Sequence, residues 1–385
     1  MLEKLINRFE SIFRRRPQVL SSAPGRINII GEHTDYNNGY VLPAAIERRT
    51  YSLWARRKDN QVRVFSENLN QGAQFNLSDL QPASGRSWLK YVEGIFWVLR
   101  EEGEALTGAD ILIQGDVPLE AGLSSSASLE ISLLKGLLTL LKREYSPQLV
   151  ARLGQKAENE YVGVRCGLMD QFIAVLAEPA TALFLDCETL DFQYVPLRLD
   201  KENLVFLVYD TKVPRQLSSS KYNERRLEAQ QAREFLEKKG FASLKAIRPE
   251  QLETLKEEMN PVLFRRARHI ITENQRVLMA RQALEKDDFP TLGKMLLASH
   301  WSLKNDYEVS CPELDLFVDL ASQTRGCLGA RLVGAGFGGS AIALIRKEAV
   351  ESLINEAIRE TEAKNFPRPQ YLIVSAGNRA SSCWL

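Results

Sequence analysis

The chain has 385 residues, enough for two domains that each bury a core of their own. Fifty Lys and Arg against 49 Asp and Glu leave a formal charge of +1, which excludes the basic footprint of a nucleic-acid binder or of a protein held on an anionic membrane. Five scattered cysteines make no CxxC pair and no zinc spacing, so the expectation is a cytoplasmic chain with free thiols that acts on small molecules, without nucleic acid, membrane or obligate protein partner.

Leu2, Leu5, Ile6, Phe9, Ile12 and Phe13 recur at helical spacing before Arg14, Arg15, Arg16 and Pro17. Glu3 and Glu10 argue against a transit peptide, and the segment is too short and too charged to span a bilayer, so a packed first helix is expected. Strand-like runs follow at 27–30, 40–46, 50–57, 61–66 and 73–77, with clear alternation in QVRVFS and turn residues Asn37, Asn38 and Gly39. The strand ADILIQ, 109–114, leads through GDVPLEAGLSSSAS into LEISLLKGLLTLLKRE, a helix apolar nearly all round and so expected to be buried. A helix over about 147–163 runs into GVRCGLMDQF, and the strand TALFLD occupies 181–186. From about 221 to 307 the chain reads as mostly helical, with a further helix near 312–324. It closes with ARLVG, a glycine cluster, the strand SAIALI, a helix over 348–363 and the strand QYLIVSA. Strands and helices segregate, which predicts an α+β chain, divided near 195–205 into units 1–198 and 199–385.

Three segments carry chemistry. GRINIIGEHTDYNNGYVLPAA, 25–45, sets Arg26, Glu32, His33 and Asp35 between apolar runs that read as buried strand. GAGFGG, 334–339, satisfies the spacing of the dinucleotide fingerprint, but that fingerprint opens a helix and here a strand follows. A plain hairpin needs one or two glycines, so this cluster points to close approach of a ligand or another backbone. PLEAGLSSSAS, 118–128, brings a glycine, four hydroxyls and a helix start together, where N–H groups converge on the positive end of the helix dipole. A simple N-cap needs one hydroxyl; this run favours phosphate. It is not a Walker A loop, because no Gly-Lys-Ser/Thr occurs in it.

These residues together resemble the galactokinase family. GRINIIGEHTDYNNGYVLPAA resembles the galactokinase signature almost position for position, PLEAGLSSSAS the ATP-binding motif of the wider GHMP kinases, and LVGAGFGGS their third motif. AENEYVGVRCGLMDQF, SSSKYNERR and SHWSLKNDYEVSCPELD are similar to further galactokinase segments, in the same order along the chain. The resemblance implies a two-domain GHMP kinase fold, with an N-terminal domain like ribosomal protein S5 domain 2 and a C-terminal ferredoxin-like domain. It also implies transfer of the ATP γ-phosphoryl group to the anomeric hydroxyl of α-D-galactose, giving galactose 1-phosphate and ADP, with Mg²⁺. Asp170 and Arg26 would then be the catalytic pair, and Glu32, His33, Asp35 and Tyr222 would bind the sugar. Gly122, Leu123, Ser124, Ser125, Ser126, Ala127 and Ser128 would hold ATP, with Trp88 stacking on adenine, while Ser126 and Glu158 would hold the metal. The chain departs from the family at Ser340, where cysteine is usual, and at Arg215, where many members have histidine after a residue that here is Pro214.

Taken alone, some of these residues have plainer readings. Glu158, in QKAENEY, fits a solvated helix face; Asp170 fits a helix cap; Tyr222 fits a core residue; and Asp186 fits a turn cap. Competing functions are a kinase for N-acetylgalactosamine, arabinose or a uronic acid, a mevalonate or homoserine kinase, and a catalytically silent galactose sensor. The carboxylates at 32 and 35 suit a neutral sugar and would repel a uronate, and the sensor could dispense with Asp170 or the serine run.

Overall fold

The N-terminal apolar stripe forms α1 (Leu2–Phe13), which buries Leu5, Phe9 and Phe13. We describe the chain from a computed structural model that covers residues 2–82, 87–213 and 218–385; Pro214 and Arg215 lie outside the described residues. Next come β1 (Val19–Asn28), β2 (Tyr40–Val41), β3 (Pro43–Arg56), β4 (Gln61–Ser66), β5 (Gln71–Asn76), α2 (Trp88–Glu101) and β6 (Ala109–Gly115). These are followed by α3 (Ser125–Leu141), α4 (Pro147–Lys156), α5 (Met169–Leu176), β7 (Thr181–Asp186), β8 (Phe192–Pro196) and β9 (Leu204–Asp210). The helical stretch comprises α6 (Ser218–Lys238), α7 (Pro249–Glu253), α8 (Pro261–Glu285), α9 (Phe289–Asn305) and α10 (Pro312–Gln323). The chain ends with β10 (Cys327–Val333), β11 (Ser340–Arg346), α11 (Val350–Ala363), β12 (Gln370–Val374) and β13 (Ser381–Trp384).

A six-stranded sheet in the order β13-β1-β3-β6-β4-β5 organises the first half; only its β4–β6 pair is parallel. Alternation along β3 decides its two faces: Leu53 and Ala55 join Leu112 under α1, while Trp54 joins the core built with α2 to α5. The second half has an antiparallel sheet, β10-β11-β9-β12. β9, LVFLVYD, is buried on both faces, with Val205, Leu207 and Tyr209 in one core and Leu204, Phe206 and Val208 in another. A run buried on both sides is continuously apolar and lacks the alternation that marks a strand, so the sequence reading passes over it.

Two features cross the expected division at 198/199. β13 returns to pair with β1, so the last strand belongs to the N-terminal sheet. The third core mixes both halves, with Ile27, Ile29, Leu42, Leu123 and Phe184 packed among Val277, Leu284, Leu292, Val333 and Ile342. The helix expected over 147–163 also changes character, because α4 gives way to a π-helical turn at Ala157–Val162. β1 begins earlier than the expected 27–30, and its serines explain why. Ser21 Oγ lies 2.7 Å from Ser52 Oγ and donates to Ser132 O of α3 at 2.9 Å, so a polar ladder replaces apolar alternation. Among the described residues no helix is long and apolar enough to cross a membrane.

α3 lies close against this ladder because residue 136 has no side chain: a Cβ on Gly136 would stand 2.1 Å from Trp54 Nε1 and 2.6 Å from Ser21 Oγ. Alanine there would gain about 1 kcal/mol of helix propensity. Overpacking a core costs about 1–3 kcal/mol, and the short distance to a rigid indole places the cost at the upper end. Gly136→Ala is therefore expected to lower stability by about 1–2 kcal/mol in a urea melt, despite its better helix former.

Candidate active site

The site is assembled where β1 ends. Arg26 anchors it with backbone and side chain together: its N–H donates to Leu123 O at 3.0 Å and its Nη1 to Gly122 O at 2.5 Å. Its Nε and Nη2 donate to Asp170 Oδ1 and Oδ2, both at 2.8 Å, a bidentate pair with fixed geometry. Asp170 is in the first turn of α5, but no side-chain cap forms at Leu168 and the carboxylate faces Arg26 instead. Ser124 Oγ donates to Asp170 Oδ2 as well.

The phosphate-type loop ahead of α3 has left-handed residues at alternate positions: Glu120 (φ 59°), Gly122 (φ 75°) and Ser124 (φ 60°). Alternation of this kind turns backbone N–H groups inward to form an anion nest, here continuous with the N-terminus of α3. For a non-glycine such as Ser124 the left-handed conformation costs about 1–3 kcal/mol and persists only where surroundings impose it, here through Asp170. Across the seam, the glycine cluster does bring backbones close. A Cβ on Gly334 would touch Gly122 Cα at 3.3 Å, and one on Gly336 would meet Val309 O at 2.2 Å. Ser340, the departure from the family pattern, donates its hydroxyl to Ala121 O at 2.5 Å and so helps dock the loop.

The segment after β1 turns on Gly31 (φ 105°), where a Cβ would stand 2.7 Å from Tyr40 O. α8 supports it from behind: Glu273 Oε1 accepts from Gly31 N–H at 3.0 Å and Asn274 Oδ1 from Tyr40 N–H at 2.7 Å. Burial would raise the Glu273 carboxyl, but Arg276, His269 and Arg331 outweigh it and bring it down to about 2. Glu32 is buried, with Oε1 accepting from Gly334 N–H at 2.7 Å and lying 3.0 Å from Arg331 Nη2. His33 Nδ1 pairs with Tyr36 OH at 2.7 Å, and Tyr36 OH with Tyr307 OH at 3.0 Å. Burial, reinforced by His269 and Arg331, lowers His33 to about 3, so the ring is neutral. Its Nε2 is buried without a partner, a polar atom that a bound hydroxyl would satisfy. Asp35 abuts Gly167, where a Cβ would stand 1.6 Å from Asp35 Oδ2. Burial, with Asp170 and Glu32 adding repulsion, pushes the Asp35 carboxyl up to about 7.

Arg26, Glu32, His33, Asp35, Gly122, Ser124, Ser125, Ser126, Asp170 and Tyr222 line one cavity of about 310 Å³. Leu123 and Ala127 instead turn into the core. Ser128 is a correction: its N–H donates to Ser124 O, and its hydroxyl sits 2.8 Å from Ala23 O and 2.9 Å from Thr50 Oγ1, so it packs α3 on β1 and β3. Glu158 is only 4 % exposed, which rules out a solvated helix face. It accepts from Gln171 Nε2 at 3.1 Å, and the same amide reaches Glu130 at 2.9 Å. Burial raises Glu158, and hydrogen bonds from Cys166 and Ser126 oppose the rise. Trp88 lies outside the cavity lining, half-buried on the N-terminal core, with Nε1 donating to Gln71 Oε1 at 3.1 Å. Asp186 accepts from Glu188 N–H at 2.9 Å, the turn-capping role weighed for it, and pairs with Lys245. Sequence reasoning missed Tyr36, Tyr307 and Arg331; the lone arginine in the apolar strand ARLVG was the available signal.

Among the described residues no group of three or more His, Cys, Asp or Glu side chains has the geometry to hold a metal ion. Mg²⁺ does not need one: it keeps several waters and takes one or two carboxylates plus substrate phosphates. The Ser126 hydroxyl beside the buried Glu158 carboxylate is a hard-oxygen set of that kind.

Comparison with known proteins places the chain by family and fold. The galactokinase galactose-binding signature matches residues 7–56, the GHMP kinases N terminal domain matches 90–178, and the GHMP kinases C terminal domain matches 280–363. A galactokinase of Staphylococcus carnosus is 42 % identical over 385 residues, covering 98 % of each chain. The crystal structure of Lactococcus lactis galactokinase complexed with galactose superposes with a TM-score of 0.94 at 36 % identity, covering 99 % of both chains. Mevalonate kinase of Methanococcus jannaschii, 20 % identical with a TM-score of 0.66 over 93 % of this chain and 98 % of its own, shares the fold.

The Asp35 environment makes a prediction about stability. Between the ordinary value of 3.8 and about 7 the folded carboxyl holds a proton that the unfolded chain has released, so stability falls as pH rises through that window and then levels off. Asp35→Asn removes this cost. The substitution is expected to raise Tm of the ligand-free protein at about pH 8 and to leave it nearly unchanged at about pH 4, read by calorimetry at both values.

Proposed function

Since the chain belongs to the galactokinase family, we propose that it transfers the ATP γ-phosphoryl group to the anomeric hydroxyl of galactose, with Asp170 and Arg26 at the point of transfer. The observation that carries this reading is the bidentate Arg26–Asp170 pair, set in one cavity between a sugar-binding segment and an anion nest. ATP-dependent galactose phosphorylation is the reaction of the family. The residue roles and the use of Mg²⁺ are our assignment.

Galactose lies against Glu32, His33, Asp35 and Tyr222. The free Nε2 of His33 and the buried carboxyl of Asp35 are what a polyhydroxylated ligand satisfies. The nucleotide phosphates lie on the N–H groups of Gly122, Ser124, Ser125 and Ser126, where the α3 dipole favours negative charge. Trp88 takes the adenine face. Ser126 and Glu158 hold Mg²⁺, which supplies neutralisation of phosphate charge when bound. Asp170 accepts the proton of the anomeric hydroxyl, whose oxygen attacks the γ-phosphorus as ADP departs. Arg26 fixes the carboxylate by two hydrogen bonds and places positive charge beside the developing negative charge. A general base contributes about 10²–10⁴-fold, whereas orientation supplies about 7–11 kcal/mol of the barrier, so loss of the base leaves residual activity. The proposed domain arrangement is 1–198 plus the returning strand β13 against the remainder, with the site on the seam.

Purified protein with Mg²⁺ and ATP should release ADP with galactose and not with mevalonate, homoserine or a uronic acid. Turnover on another substrate without turnover on galactose would overturn the reading. Asp170→Asn should keep the fold, at a lowered Tm because the buried Arg26 loses its counter-charge, and lose about 10²–10⁴-fold in kcat, whereas Asp35→Ala should act mainly on KM for the sugar. Near-normal kcat in Asp170→Asn would remove Asp170 from the reaction.

A further inference from the structure

The sugar subsite gathers three carboxylates, of which Glu32 is paired with Arg331 and Asp170 with Arg26, while Asp35 has no direct ion-pair partner among the described residues. Asp35 faces Glu32 on its own segment, Asp170 on α5, Tyr222 and Arg226 on α6, and the Cys187 thiol just after β7. Among these groups Arg226 is the cation. Arg226 stands four residues after Tyr222 on α6, so the two share a helix face. Its guanidinium carbon sits 5.0 Å from the centroid of the Tyr36 ring, directly after Asp35 in the chain. Its Nη1 donates to Arg165 O at 3.1 Å, in the 163–167 loop that lines the cavity. That loop ends at Gly167, whose missing side chain leaves the space filled by Asp35 Oδ2. One guanidinium therefore holds both segments that flank the Asp35 carboxylate, and it does so from the other half of the molecule.

We propose that Arg226 is a positioning residue for sugar binding, reaching across the seam from α6 to clamp the Tyr36 segment against the 163–167 loop and to hold Asp35 as the anion that accepts sugar hydroxyls. The assignment rests on galactose as the substrate and on Asp35 as a sugar ligand. Three features separate it from a packing role. Arginine combines stacking on an aromatic face with hydrogen bonding to a carbonyl, which lysine reproduces only in charge. The charge acts on a carboxyl that burial pushes up to about 7, where a modest change in field alters the ionised fraction most. The contacts of Arg226 are with the Tyr36 ring and Arg165 O, so its influence should fall on the sugar and not on the nucleotide.

The test is galactose affinity of the full chain measured by calorimetry without ATP, from about pH 6 to about pH 9, for wild type, Arg226→Met and Arg226→Lys. Removing the cation raises the Asp35 midpoint, so galactose affinity near pH 7 should fall by about twofold or more, and this loss should vanish by about pH 9. Arg226→Lys should restore most of the pH profile, and KM for ATP should change by less than about twofold in both variants. Affinity of Arg226→Met equal to wild type at every pH overturns the proposal. A loss of the same size at both ends of the range, not rescued by lysine, also overturns it, because that is the mark of lost packing alone. Failure of the wild type to bind or phosphorylate galactose would instead refute the substrate on which the assignment rests. If Arg226→Met does not fold, Arg226→Gln, which keeps a donor for Arg165 O without charge, carries the same comparison.

Discussion

The Glu32–Arg331 ion pair holds the architecture of the site together. Arg331 has no exposure and Glu32 has 5 %, so both charges have left water and must be satisfied by the protein. Glu32 Oε1 takes Gly334 N–H as well as the guanidinium, and Arg331 Nη1 donates to Asn28 O and Ile29 O at 2.9 Å. The pair thus ties the end of β1 to β10 and to the glycine loop that follows. Such pairs contribute little net stability when intact, yet removing one partner costs about 3–5 kcal/mol because the other charge stays buried and unmatched. Its consequence is register: the sugar segment cannot shift against the glycine loop without exposing a charge to an apolar seam.

That constraint passes to the phosphate loop through contact rather than through charge. Gly334 meets Gly122, and Ser340 holds Ala121 O, so the loop proposed to cradle phosphates is fixed from the C-terminal half while Arg26 fixes it from β1. The third core, drawn from both halves, continues the same seam. A site built this way is pre-organised by its own hydrogen bonds, in which Asp170, Ser124 and Arg26 hold one another. Phosphoryl transfer chiefly needs positioning and charge neutralisation, which is what such a frame supplies. The strained φ of Ser124 and the orphaned Nε2 of His33 are local costs carried by that frame.

Much of this was legible beforehand, for reasons specific to each element. α1 declared itself by an apolar stripe, and β4 by strict alternation, because each has one face in the core and one in water. β9 did not, because it is buried on both faces, and the serine-bearing start of β1 did not, because its serines serve a hydroxyl ladder. α2 and α5 were passed over as helices, and β13 could not be anticipated, since a four-residue edge strand owes its place to β1 rather than to its own pattern. Of the site, the residues lying in dense motifs were found. Arg331 and Tyr307 were not, since each acts through a partner that is distant in sequence.

The sequence by itself determined which chemical groups are available and, through the order of its motifs, which family the chain belongs to. Those properties are local, carried by hydroxyls beside a helix start, glycines in a row and charges between apolar runs. Only the tertiary structure decided which groups face one cavity. It withdrew Ser128 into the packing of α3, buried Glu158 beside Glu130, and set Asp35 against Gly167 within the field of Arg226. The physical reason is that burial and electrostatic environment depend on neighbours far apart in the chain, and no local pattern encodes the distance between them.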